Sequence, residues 1–178
     1  VQRMPCGHAA CDIPGGAAIA ADRYDDGMSV NYYASLKGKK VGFVPIGMGF
    51  DLPEGWYAGM KRQADALGYE IIVRDPNWST EAGVQAITSL INEKPDLLLI
   101  HNDDQNSYNR VVRRALDANI PVVQINQKVA TNSDAFVGAD WYQIGIEQAN
   151  IVLKGCGEAT GKSGEIALVQ GKLTSPGS

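Results

Sequence analysis

Val41-Gly-Phe-Val-Pro-Ile-Gly-Met-Gly-Phe-Asp-Leu-Pro-Glu-Gly-Trp56 runs from an apolar segment through a glycine-rich loop into a helical pattern. The segment from Lys40 to Pro45 lacks polar alternation, as expected of a strand buried on both faces of a parallel sheet. Pro45 has no backbone donor and suits a strand exit. Pro53 fits a first helical turn, Trp56, Met60, Ala64 and Leu67 share one stripe, and Gly68 stops the helix. The same grammar returns downstream. Strands are expected at Glu70 to Arg74, Asp96 to Ile100, Pro121 to Ile125, Ala135 to Gly138 and Glu165 to Val169. Between them lie a stripe of Val84, Ile87, Leu90 and Ile91 behind a Ser79 or Thr80 cap, and a stripe of Tyr108, Val111, Val112, Ala115 and Leu116. A further helix from Trp141 to about Lys154 is capped by Asp140, with Gln143 three residues on as in a capping box. Strands alternating with helices in this way predict right-handed βαβ units, a parallel sheet and an α/β fold.

The chain has 178 residues, 44% apolar and 20% charged, which is ordinary for a globular protein. Its net charge of −4 argues against nucleic acid as the main partner, because phosphate binding needs a basic surface. No apolar run approaches the roughly 18 residues of a membrane span. Val1 to Gly38 is rich in Gly, Ala, Asp and Pro without a sustained period, and is expected to be an irregular extension (1–38). Cys6 and Cys11 flank a short loop there. They suit a small disulfide, free thiols, or a metal site with His8 that lacks a fourth ligand; Cys156 reads as an unpaired thiol.

Ligands of open α/β sheets settle where strand ends meet helix starts, so those loops carry the functional reading. Gly47-Met-Gly49 begins like a dinucleotide fingerprint, but Leu52 stands where the third glycine belongs. Gly157-Glu-Ala-Thr-Gly-Lys-Ser163 resembles a phosphate loop, yet Cys156 replaces its first glycine and the segment follows a helix and precedes a strand pattern. Asp103-Asp104 reads either as a metal or acid/base pair or, since adjacent loop residues rarely point the same way, as one helix cap and one carboxylate turned to the cleft. Asn126 and Gln127 follow a strand, where they either form a turn or present donors and acceptors to a hydroxyl-rich or amide ligand. Trp56 either packs in the core or stacks on a ligand ring. His101 has no nucleophile beside it in a triad-like setting, and neither a G-x-S-x-G elbow nor an H-E-x-x-H motif occurs; nothing demands catalysis, a cofactor or a metal.

In order and spacing, these segments resemble the first half of a type I periplasmic solute-binding protein of the ribose- and galactose-binding kind. The resemblance runs through Lys40 to Ile46, Gly59 to Tyr69, Pro95 to Asn102, Ala118 to Asn126, Val137 to Asp140 and Ile166 to Gly171. It implies a Rossmann-like lobe of a two-lobed fold: an amino-terminal lobe (39–138), then a hinge crossing and the first part of an incomplete second lobe (139–178). It also implies that the chain is the amino-terminal portion of a longer polypeptide. By the same resemblance the protein is exported, mature from Val1, and periplasmic. It closes about a hinge on a small polar solute such as a sugar or polyol, and hands it to an ABC importer or a membrane sensor. Carried over position by position, ligand contacts fall at Phe50, Asp51 and Trp56, at Asn102 and Asp103, at Asn126 and Gln127, and at Asp140. Many sugar binders have an Asp-Arg pair where this chain has Asn126-Gln127, so neutral amides replace the charged grip. The acidic loops disfavour an anionic ligand.

Overall fold

Five short runs rich in β-branched residues and leucine become strands in the computed structural model, which describes residues 27–169, 171 and 173–175. The elements in chain order are α1 (Gly27–Ser35), β1 (Lys40–Val44), α2 (Asp51–Leu67), β2 (Glu70–Val73), α3 (Thr80–Glu93), β3 (Leu97–Ile100), α4 (Gln105–Asp117), β4 (Val122–Ile125), β5 (Ala135–Val137) and α5 (Trp141–Cys156), then a 3₁₀ turn at Glu158–Thr160. The strands form one sheet in the order β2-β1-β3-β4-β5. The α/β architecture with a parallel sheet is therefore the one expected. Two compact units divide the chain. One takes the chain up to Val41 with Gly49–Ile72, and the other takes Gly42–Met48 with the chain from Val73 onward.

In the first unit, α2 begins behind an extended Phe50 and ends at Gly68, whose φ of 77° closes the helix with a hydrogen bond to the Ala64 carbonyl. A left-handed residue is needed there, and only glycine adopts it without cost. The helix α1 corrects part of the expected irregular extension. Its apolar residues do not recur at helical spacing, so periodicity gave no signal. Still, no Gly or Pro interrupts Met28 to Ser35, and the Tyr32 and Tyr33 rings pack edge to face at 5.5 Å. Cys6, His8 and Cys11 lie outside the described residues.

In the second unit, β3, β4 and β5 pair in parallel, with Leu98 opposite Val122, Ile100 opposite Gln124 and Gln124 opposite Phe136. Phe43, Val44, Leu98, Ile100 and Val122 are fully buried, and Ile87, Leu90, Tyr108, Val112 and Ala115 cover them from α3 and α4. The expected caps form. The Ser79 hydroxyl accepts from Ala82 N–H, the Asp104 carboxylate from Ser107 N–H and the Asp140 carboxylate from Gln143 N–H. The expected sixth strand at Glu165 to Val169 does not form. Leu168 and Val169 are 89% and 99% exposed, and among the described residues no neighbouring strand pairs with this run. An apolar run becomes a strand only where another strand takes its backbone groups.

The helices α3 and α4 approach closely at Gly83, where a Cβ would stand 1.8 Å from the Tyr108 hydroxyl and 2.8 Å from its Cζ. Alanine is the better helix former by about 1 kcal/mol. Overpacking at a buried contact costs roughly 1–3 kcal/mol and wins. Gly83→Ala should therefore lower the urea midpoint. The Tyr108 hydroxyl is buried with no partner among the described residues. Tyr108→Phe alone should accordingly be neutral or stabilising, and should return part of the loss when combined with Gly83→Ala.

Candidate binding site at the carboxyl ends of the strands

From β1 the chain goes to β2 on one side, then crosses to β3 on the other. Such a reversal opens a crevice beyond the strand ends. The second unit lines it with the Pro45 to Met48 loop, the His101 to Asp104 loop and the chain after β4.

His101 is anchored by its N–H to the Val44 carbonyl at 2.9 Å, and its side chain is 1% exposed. Burial pulls its pKa down to about 4, against the smaller opposing pull of Asp103. The imidazole is therefore neutral near pH 7. Its Nε2 lies 3.2 Å from the Asn126 side-chain nitrogen; with the amide as donor, Nε2 accepts and the ring proton sits on Nδ1. Asn126 itself has φ of 62°, a conformation asparagine tolerates better than most residues. Its N–H donates to Val137 O at 2.7 Å, and its carbonyl accepts the Trp141 indole N–H at 2.7 Å. Gly138 permits this approach, since a Cβ there would stand 2.8 Å from the Asn126 carbonyl oxygen.

Asn102 is fully buried; its amide donates to Gln124 Oε1 at 2.9 Å and to the Gln127 carbonyl at 2.6 Å. Its Oδ1 has no partner among the described residues. Gln127 is half-buried, and its side-chain oxygen accepts from the Ser175 hydroxyl at 3.0 Å. Asp103 accepts a hydrogen bond from the Thr80 hydroxyl, which ties the β3 loop to the start of α3. Asp104 is the cap of α4, the role expected of one of the two adjacent carboxylates. Asp140 caps α5 and borders a cavity of about 530 Å³ with Lys128, Phe136, Gly138, Ala139 and Trp141. Lys128 Nζ stands 5.8 Å from the centre of the Phe136 ring.

Thus the structure brings Asn102 and Gln127 into direct contact, and joins Asn126 to Asp140's neighbour Trp141. Phe50, Asp51 and Trp56 belong to the first unit, where Phe50 precedes α2, Asp51 opens it, and Trp56 is half-buried on it. Sequence reasoning passed over Gln124. Its signal was a lone amide inside the apolar run Val122-Val-Gln-Ile125, a pattern that implies a buried hydrogen-bond network. It also passed over Trp78, whose loop follows β2.

A family model described as "Periplasmic binding protein domain" matches residues 41–178. Among solved structures, the chain is similar to a glucose-galactose binding protein from Geobacillus stearothermophilus, at 22% identity and a TM-score of 0.69 over 79% of this chain and 50% of that one. It is also similar to an ABC transporter solute binding protein from Agrobacterium vitis with bound allitol, at 27% identity and a TM-score of 0.62 over 68% and 42%. A third is the fructose binding periplasmic domain of a hybrid two component system, at 20% identity and a TM-score of 0.61 over 66% and 39%. The chain spans about half the length, or less, of these structures. No curated protein matches it.

His101 titrates from its ordinary 6.5 in the unfolded chain to about 4 in the native one. Because the native pKa is the lower, the contribution is complete above about pH 6.5 and is lost as pH falls toward 4, on the order of 3 kcal/mol. Between pH 7 and 4.5 the wild type should lose more stability than His101→Asn, as read from urea midpoints at each pH.

Proposed function

The chain belongs to the periplasmic binding protein domain family, and on that premise we propose that it binds a small polar solute, a sugar or polyol, beyond the carboxyl ends of its strands. The observation that carries this reading is the half-buried Asn126 amide. It stands at the end of β4, held in the left-handed region and backed by a buried, neutral imidazole. A paired amide of this kind exchanges hydrogen bonds with hydroxyls in both directions, as a carboxylate or ammonium cannot. Gln127, Asp103 and Asp140 are further polar groups on the same unit. Asn102 is a positioning residue that holds the Gln127 backbone. Phe50, Asp51 and Trp56 remain candidates by their place at the start of α2.

In this reading 39–138 is an amino-terminal ligand-binding lobe, and 139–178 is the crossing into a second. Closure follows from differential affinity: a solute that touches both lobes only when closed shifts the population toward that state. The role is binding rather than catalysis, carried out in the periplasm, with delivery to the membrane permease of an ABC importer. Such delivery agrees with the transporter relative crystallised with allitol. The fructose binding domain of a two component system favours a second reading, in which the occupied form signals to a membrane sensor.

A ligand bound only by the native state must raise the melting temperature, by about 2.7 kcal/mol of stability at a hundredfold excess over Kd. Thermal-shift screening should show this with a member of a panel of pentoses, hexoses and polyols, and not with nucleotide cofactors. A response to nucleotides alone would overturn the proposal. Asn126→Ala should weaken binding of the responding sugar by about 1–3 kcal/mol in calorimetric titration.

A further inference from the structure

The loop after β2 holds an arrangement that the family reading leaves unused. Asn77 and Trp78 are consecutive residues with φ of 48° and 67°. For a residue as bulky as tryptophan that conformation is a genuine outlier, maintained only where the surroundings over-determine it. They do so here. One oxygen of the Asp75 carboxylate accepts from Asn77 N–H at 2.8 Å and from Met48 N–H at 3.1 Å. The Trp78 N–H donates to the Ile46 carbonyl at 2.8 Å. The loop after β2 is thereby stapled to the loop after β1, beside the point where strand order reverses.

The indole is laid on Gly47. A Cβ at that position would stand 2.8 Å from Trp78 Nε1 and 3.0 Å from Cδ1, so only glycine admits the ring. Gly47 is buried, yet Trp78 remains 59% exposed. Two residues on, the Thr80 hydroxyl reaches Asp103 in the β3 loop, so the same turn borders the crevice from α3. A large exposed aromatic in ordinary loops is free to turn its apolar face away from water. The loop of this one is fixed by one backbone hydrogen bond and two to the Asp75 carboxylate, and its ring by a glycine seat, at the edge where ligands of such sheets enter.

We propose that Trp78 is a specificity-determining stacking residue, offering its indole face to the apolar C–H face of a sugar or polyol, with Gly47 as its positioning seat. The inference rests on the sugar-or-polyol reading above. It assigns the aromatic platform to the loop after β2 rather than to Trp56. An indole face suits a ligand with one apolar and one hydroxylated side, and discriminates among epimers that break up the apolar side.

The test uses the full-length protein and whichever sugar or polyol of the panel gives the largest thermal shift. Trp78→Ala should weaken that probe about tenfold or more, while Trp78→Phe keeps most of the affinity. Gly47→Ala should weaken it in the wild-type background and add nothing in the Trp78→Ala background, since its effect passes through the ring. Tryptophan emission should shift on adding the probe, and that shift should be lost in Trp78→Phe. Circular dichroism melting of each free variant separates lost binding from lost folding. Unchanged affinity in a folded Trp78→Ala overturns the assignment and leaves the sugar-or-polyol reading intact. A wild type that answers to no member of the panel overturns both.

Discussion

The buried contact between Asn102 and Gln124 is the constraint on which the geometry of the crevice depends. Gln124 is a polar residue in an apolar strand, and burying an amide costs free energy unless every polar atom is paired. Here its oxygen accepts from Asn102 at 2.9 Å and from Val129 N–H at 2.8 Å, while its nitrogen donates to the Thr131 carbonyl at 2.9 Å and the Ser133 hydroxyl at 3.0 Å. The chain from Gln127 to Ser133 thus has no regular structure, yet it is held as firmly as an element. Thr131 N–H extends the network to Asn109 on α4 at 2.8 Å. With both its amide atoms paired, Gln124 specifies one arrangement, because each alternative strands a buried amide atom.

Around that frame, unusual backbone conformations gather at strand exits. Asn77, Trp78 and Asn126 all have positive φ, and each follows β2 or β4 within a few residues. Each is compensated by named bonds: the Asp75 carboxylate for Asn77, the Ile46 carbonyl for Trp78, and Val137 and Trp141 for Asn126. Such conformations survive only where neighbours impose them, and they put side chains where a regular loop would not. Burial acts alongside. His101 stays neutral because it is desolvated, which makes it a constant hydrogen-bonding partner for Asn126 at ordinary pH. Tyr108 is likewise held as the neutral phenol, first by burial and then by Asp103 and Asp104.

Much of the fold was legible because period and punctuation agree. Val84, Ile87, Leu90 and Ile91 predicted α3 behind a Ser79 or Thr80 cap, and the helix forms there with Ser79 as its cap and Lys94, in the left-handed region, at its end. The run at Glu165 to Val169 has a strand's composition but no pairing partner among the described residues, and α1 has a helix's conformation without a helix's period. In both, the deciding contacts are absent from the local pattern. The candidate site's loops were legible as strand exits, whereas the contacts of its side chains were not. Asn102 has the composition of a ligand contact, yet it is spent inside the scaffold, while Trp78 has the composition of a turn residue and stands exposed.

Apart from α1 and the strand expected at Glu165 to Val169, the sequence by itself determined the order of strands and helices, their caps, and the ends of the sheet at which polar residues collect. These follow from side-chain period, proline and glycine placement and short-range hydrogen bonding, all properties of neighbouring residues in the chain. Only the tertiary structure decided which amides face inward, which of Asp103 and Asp104 caps α4, and which aromatic sits on a glycine. Those depend on what lies across from each residue. Thr80 meets Asp103 across 23 positions, Asn102 meets Gln127 across 25, and Met48 meets Asp75 across 27. Burial and pairing are set by such non-local neighbours, and a linear pattern carries no record of them.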